Sequence, residues 1–238
     1  LAQLPDSLRA PLADPRVRLA TGDPRRLLAK RDGSDGLGAG WDLILVGMPE
    51  PSSGQANRFY TREFFAACAR RLAPGGVLAL RLPLAENYWT PQLVRRTASS
   101  ERALGAAFRQ TLLLPGTSAV LLAADGSLTR DPRLLAARYR ERGLANRLVT
   151  PPYVEWLATN ERVDELAQQI AAVAVPVNSD ARPVCYQYTL MLWLSRFYPA
   201  LAWLDPLAIA EGRGRAGPWA RIGGLALLGL AWLLVRRP

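Results

Sequence analysis

Trp41-Asp-Leu-Ile-Leu-Val46, then Gly47-Met-Pro-Glu-Pro51, and further on Leu72-Ala-Pro-Gly-Gly-Val-Leu-Ala-Leu-Arg-Leu82, decide the fold. The first run is almost wholly apolar and short. It reads as a strand buried on both faces, as in a parallel sheet. A loop rich in Pro, Ser and Gly follows at 47–55. Thr61 is placed to cap a helix over 62–72, with Glu63 in its favourable first turn. Phe64, Phe65, Cys68 and Leu72 recur at helical spacing and mark the buried face. Pro74-Gly75-Gly76 stops the helix, and a second buried strand is expected at 77–82. A strand, a helix and a strand with this spacing make a crossover unit, which requires the two strands to run parallel.

The pattern extends in both directions. Upstream, 17–20 is a short strand candidate ending at Thr21-Gly22-Asp23, and Pro24 suits the first position of a helix. A Gly-rich loop spans 32–40; it precedes a strand, so it reads as a flexible connection and not as a phosphate cradle. Downstream, a helix is expected near 90–107. Segments 111–114 and 118–123, joined by Pro115-Gly116-Thr117, form an antiparallel hairpin closing one sheet edge. Asp131-Pro132 caps a helix ending near Gly143, and two more helices are expected at 151–158 and 161–172.

Composition removes several kinds of chemistry. The 238 residues contain no His, which rules out His general acid–base work, Ser-His-Asp triads and His metal ligands. The two Cys, Cys68 and Cys185, have no metal-ligand spacing, and no metal site is expected. The net charge is +10, carried by Arg apart from the single Lys30. Those Arg residues are scattered, with no basic stripe interleaved with aromatics, so a nucleic-acid partner is not expected. A solvated Arg surface or attraction to an anionic membrane accounts for the charge.

In open α/β sheets ligands sit beyond the carboxyl ends of the strands. Two loops qualify, Gly22-Asp23 and 47–57. Asp23 can accept hydrogen bonds from an adenine amino group or a ribose, or can cap the helix that Pro24 opens; the roles are compatible. From residue type alone Glu50 reads as a solvated loop residue. Gln55, Asn57 and Tyr60 can line a pocket mouth, while Tyr60 can equally pack beside Phe59. Asp180 and Arg182 are expected to form an ion pair closing the domain.

The stretch 42–51, then Asn57-Arg-Phe-Tyr-Thr-Arg-Glu-Phe-Phe65 and Leu72-Ala-Pro-Gly-Gly-Val-Leu78, resembles the spermidine/spermine synthase (polyamine aminopropyltransferase) family. Asp14-Pro-Arg-Val-Arg18 leading to Gly22-Asp23 looks like its adenine-side strand and loop. Asn178-Ser-Asp-Ala-Arg-Pro-Val184 with Tyr186 and Tyr188 looks like the segment that ends the domain in its membrane-fused bacterial branch. The resemblance covers roughly 11–195. It implies an aminopropyl transfer from decarboxylated S-adenosylmethionine, a co-substrate and not a permanent cofactor, to a polyamine. The amine arrives protonated, with a pKa of about 10, and must lose a proton before attack. The resemblance therefore assigns Gly22 and Asp23 to the nucleotide side, Glu50 to catalysis and Gln55, Asn57 and Tyr60 to the acceptor. The chain departs from the family at Gly47, where the resemblance would put the catalytic Asp, and it begins downstream of the family's Gly-rich nucleotide loop.

The expected architecture is α/β: a partial Rossmann-like, class I methyltransferase-type parallel sheet over 1–190 with an antiparallel hairpin at one edge. An amphipathic or interfacial linker is expected over 191–217 and an apolar membrane helix over 218–238. The fourteen uncharged residues of 222–235 lie between Arg221 and Arg236-Arg237, against the roughly twenty apolar residues of a full span. Starting at Pro218 and letting Arg221 snorkel nearly reaches that length; a buried core helix is the competing reading. The resulting expectation is attachment to the inner membrane with the domain facing the cytoplasm, lipid as a partner and a homodimer as in the family. Two other functions stay open: a degenerate, non-catalytic ligand-binding or membrane scaffold, and an S-adenosylmethionine-dependent methyltransferase.

Overall fold

A computed structural model describes residues 5–29, 40–85, 88–116, 118–144, 146–159 and 161–198. The two strands of the deciding stretch are β1 (Trp41–Val46) and β2 (Leu72–Pro83). They pair in parallel, with Ile44 opposite Leu78 and Val46 opposite Leu80. The hairpin strands β3 (Gln110–Leu114) and β4 (Ser118–Ala124) complete a mixed four-stranded sheet of order β1-β2-β4-β3, in which β4 runs antiparallel to both neighbours. The helices before the hairpin are α1 (Asp6–Leu12), α2 (Pro24–Ala29), α3 (Gly54–Asn57), α4 (Arg62–Ala69) and α5 (Pro91–Gly105). Those after it are α6 (Pro132–Glu141), α7 (Pro151–Thr159), α8 (Arg162–Ala172) and α9 (Val184–Leu194).

Local chemistry fixes the helix starts. Ser53, Thr61 and Thr90 each accept a backbone N–H of the first turn of α3, α4 and α5, and Asp131 accepts two at α6. The turn after α4 differs from expectation. Leu72 already pairs with Trp41, so β2 begins before Pro74-Gly75-Gly76 and carries a register shift through it. Gly75 has φ +81, and a Cβ on Gly76 would lie 2.7 Å from the Trp41 carbonyl oxygen. Only glycines let β2 bend this closely against β1.

One face of the sheet carries the core. Leu78, Leu80 and Leu82 of β2 and Leu121 of β4 pack with Phe64, Phe65 and Cys68 of α4, Leu93, Val94 and Leu104 of α5, Leu166 of α8, and Val184 and Tyr188 of α9. Each such apolar side chain contributes about 1.5–3 kcal/mol by leaving water. α5 lies against both the sheet side and α9, so even its polar residues Gln92, Arg96, Thr97, Ser99 and Ser100 are buried. Ser99 donates to the Pro176 carbonyl at 2.7 Å, Thr97 donates back to the Leu93 carbonyl of its own helix at 2.9 Å, and the half-buried Arg102 donates to the carbonyls of Val173 and Val175.

Three expectations change. β1 is not buried on both faces: Leu43 is 53% and Leu45 is 72% exposed, whereas Val46 is buried. The core helices cover only the face toward which Val46 points, and strand alternation leaves Leu43 and Leu45 on the other. Segment 17–20 is not a strand; Val17 and Leu19 are exposed and no described strand lies beside it to supply a ladder. The loop 47–55 runs into the single turn α3, which begins at Gly54. The Gly-rich stretch at 32–39, the membrane helix expected over 218–238 and most of the 191–217 linker lie outside the described residues. Among the described residues no helix is long and apolar enough to cross a membrane.

Candidate functional site

β1 delivers the chain into Gly47 at its carboxyl end, and the following loop is fastened from below. The Tyr60 hydroxyl donates to the carbonyls of Met48 at 3.1 Å and Pro49 at 2.9 Å. Tyr60 is fully buried, and burial pushes its phenol up to about 12, so it stays a neutral donor. Its own carbonyl accepts from Asn178 Nδ2 at 2.8 Å, and Asn178 Oδ1 accepts the Cys185 N–H. Asn57 is also buried, and its Oδ1 accepts the Tyr186 N–H at 3.2 Å. Asn57 and Tyr60 thus tie the rim loop to the start of α9. Gln55 stands exposed on α3, and Gly47 is exposed with open space where a Cβ would be.

Glu50 has a partner that its sequence context hid. Its Oε2 accepts from Arg96 Nη1 at 3.0 Å, and Arg96 Nη2 donates to the Pro83 carbonyl at the end of β2. The Arg96 side chain is 1% exposed, while that of Glu50 is 41% exposed. Burial pulls the Arg96 guanidinium below its ordinary pKa, and Glu50 pushes it back up. Arg96 Nε has no hydrogen-bond partner among the described residues. Glu50 is therefore the main compensation for a cation taken out of water.

Gly22, at φ +142, turns the chain into Asp23. Asp23 Oδ1 accepts the Arg25 N–H at 2.9 Å and Oδ2 pairs with Arg58 at 2.9 Å. The Arg25 backbone bond, with the Arg58 charge, holds its carboxyl below the usual range. Arg25 grips Asp180 with two contacts of 2.9 and 2.5 Å, and Thr61 Oγ1 donates to the same carboxylate at 2.8 Å. The Arg25 hydrogen bonds are the main reason the Asp180 carboxyl lies below its ordinary range. Asp180 returns its N–H to Glu63 at 2.9 Å. Asp180 forms its ion pair with Arg25, which reaches from α2 across the start of α4 and also donates to the Arg58 carbonyl, closing both segments at once.

Two groups emerge. Gly22 and Asp23 join a carboxylate–guanidinium cluster around the start of α4; Glu50, Asn57 and Tyr60 belong to the fastened rim loop. Reading the sequence missed Arg96, Arg25 and Arg58 as organisers of these groups. Arg96 had a usable signal: it sits three residues after Leu93 and four before Ser100 on the buried face of α5. Among the described residues no cluster of three or more His, Cys, Asp or Glu side chains could hold a metal.

No family model matches the chain. It is 34% identical over 137 residues to a polyamine aminopropyltransferase of Nitrosomonas europaea, covering 56% of this chain and 39% of that protein. It is 37% identical over 102 residues to a polyamine aminopropyltransferase of Corynebacterium efficiens, covering 43% of this chain and 18% of that protein. The chain spans less than two thirds of the length of the curated relatives it matches. Among solved structures, a spermidine synthase in complex with the transition-state analogue AdoDATO superposes with a TM-score of 0.51 at 16% identity, over 70% of this chain and 55% of that one. In sequence the chain is similar to polyamine aminopropyltransferases, and in fold its described residues are similar to a spermidine synthase.

Proposed function

We propose that this chain contributes the acceptor side of an aminopropyltransferase site, in which decarboxylated S-adenosylmethionine alkylates a polyamine. The observation that carries the reading is the parallel β1–β2 pair, which sets the 47–57 loop at the carboxyl end of β1 where α/β sheets hold ligands. The sequence similarity to polyamine aminopropyltransferases supports it. An acceptor amine nitrogen forms a bond to the methylene carbon beside the sulfonium. The carbon–sulfur bond breaks toward sulfur, giving a neutral thioether, and the amine proton passes to a base. Glu50 is the carboxylate for the cationic amine, with Gln55 on the acceptor side, buried Asn57 and Tyr60 holding that side of the site from beneath, and Gly22 and Asp23 on the nucleoside side. Glu50 performs this role only as it yields contact with Arg96, so the amine and Arg96 compete for one carboxylate. The apolar run 222–235 would tether the domain to the inner membrane on its cytoplasmic side, and the protein would act as a homodimer.

The test supplies decarboxylated S-adenosylmethionine with putrescine, spermidine or cadaverine, and measures methylthioadenosine and the extended amine by mass spectrometry. Both products in equal amounts support the reading; neither, at high protein concentration, overturns it. A second reading, a non-catalytic relative acting as a scaffold, draws on the Glu50–Arg96 pair together with Gly47. It expects amine binding or membrane attachment without either product.

A further inference from the structure

A hollow of about 910 Å³ opens on the sheet face opposite α5, at the end of the sheet where β2 finishes. Its floor includes Arg81 of β2 and Val120 of β4, residues paired in the ladder and pointing away from the core. Its other wall is α7, with Tyr153 and Trp156, and its end is the start of α8, with Glu161 and Arg162. The size falls in the range of small-molecule pockets, about 300–1,000 Å³.

Two features of this hollow point to a ligand. Tyr153 and Trp156 stack on each other with centroids 5.8 Å apart and planes 24° apart, yet stay 42% and 59% exposed. A stacked aromatic pair held open to solvent is a platform for another flat ring. Arg81 stands on an apolar sheet face between Ala79 and Pro83 and makes no hydrogen bond or ion pair among the described residues. A guanidinium is the side chain best suited to a phosphate or carboxylate. Arg162 adds a second positive charge and Glu161 offsets one.

We propose that this hollow binds a planar aromatic molecule bearing a phosphate or carboxylate, its ring on Trp156 and its anionic group on Arg81. The site is separate from the aminopropyl-transfer reading, since it lies on the opposite face of the sheet from Glu50 and Arg96. The probe is adenosine 5′-monophosphate titrated into the full chain by calorimetry, with adenosine and inorganic phosphate each carrying one of the two features. The monophosphate binds saturably, and each single-feature control binds at least about tenfold more weakly. Arg81→Gln and Trp156→Leu each weaken the monophosphate about tenfold, while Arg16→Gln, on an exposed side chain, leaves it unchanged. Circular dichroism confirms that the variants fold, and Trp156→Phe, which keeps a ring, retains most of the affinity. Absence of saturation up to about 5 mM, or affinity untouched by both Arg81→Gln and Trp156→Leu, overturns the proposal.

Discussion

Replacing Glu50 with Ala leaves the Arg96 guanidinium, 1% exposed, with only the Pro83 carbonyl and an unpartnered Nε. The chain contains its own control. Glu155 pairs with Arg140 at 3.3 Å and is 41% exposed, as is Glu50, but Arg140 is 58% exposed. The two carboxylates meet solvent equally, so only the partner's burial differs. An exposed pair is worth about 0.3 kcal/mol, whereas orphaning a buried charge costs about 3–5 kcal/mol. Water reaches the Glu50 side of its pair, which lowers the expected loss for Glu50→Ala to about 2 kcal/mol. In a domain of this size that lowers Tm by about 4–8 °C, against about 1 °C for Glu155→Ala. The double variant Glu50→Ala/Arg96→Met removes the stranded charge and recovers part of the loss. Thermal and urea unfolding of the three variants decide the matter. Equal losses for Glu50→Ala and Glu155→Ala, or a double variant weaker than Glu50→Ala alone, would refute the reasoning.

The Asp180 carboxyl lies below its ordinary value of 3.8, so its contribution to stability is fully present above that value and is lost as pH falls through the lowered folded value. Asp180→Asn should therefore be less stable than the parent protein at neutral pH, with the gap closing below about pH 4 in urea titrations at stepped pH. Burial pushes the thiols of Cys68 and Cys185 up to about 12 and about 11, so both should resist a thiol-specific disulfide reagent in native buffer and react fully once urea opens the core. Gly47 has room for a side chain; Gly47→Asp should fold normally and raise the methylthioadenosine rate about a hundredfold or more if a missing base limits turnover, whereas an unchanged rate rules that cause out.

The parts of the fold legible in the sequence were those with a local cause. Thr61, Pro132 and the turn residues of the β3–β4 hairpin announce their elements, and the apolar run of β1 announces a strand. The burial of β1 was misread because a single strand cannot reveal whether a second layer covers it: Leu43 and Leu45 look the same in a buried and in a bare face. α9 escaped a sequence reading because the apolar residues of Val184–Leu194 form no helical stripe: Val184, Cys185 and Tyr188 are buried while Leu190 and Trp193 are exposed. The candidate site was half legible. Asp23, Glu50 and the 57–63 segment stand out by residue type, but their partners do not. Arg25, Arg58 and Arg96 come from distant positions and belong to a composition in which Arg is ubiquitous, so only the folded chain shows that these three meet Asp180, Asp23 and Glu50.

The claim that the 47–57 loop receives an amine is tested most directly by titrating putrescine into the isotope-labelled chain and following its backbone amides. The account expects saturable shifts at Gly47, Glu50 and Gln55, abolished in Glu50→Gln, together with a change at the Arg96 side chain as its carboxylate is drawn away. Putrescine shifts confined to other acidic residues, or unaltered by Glu50→Gln, would contradict it.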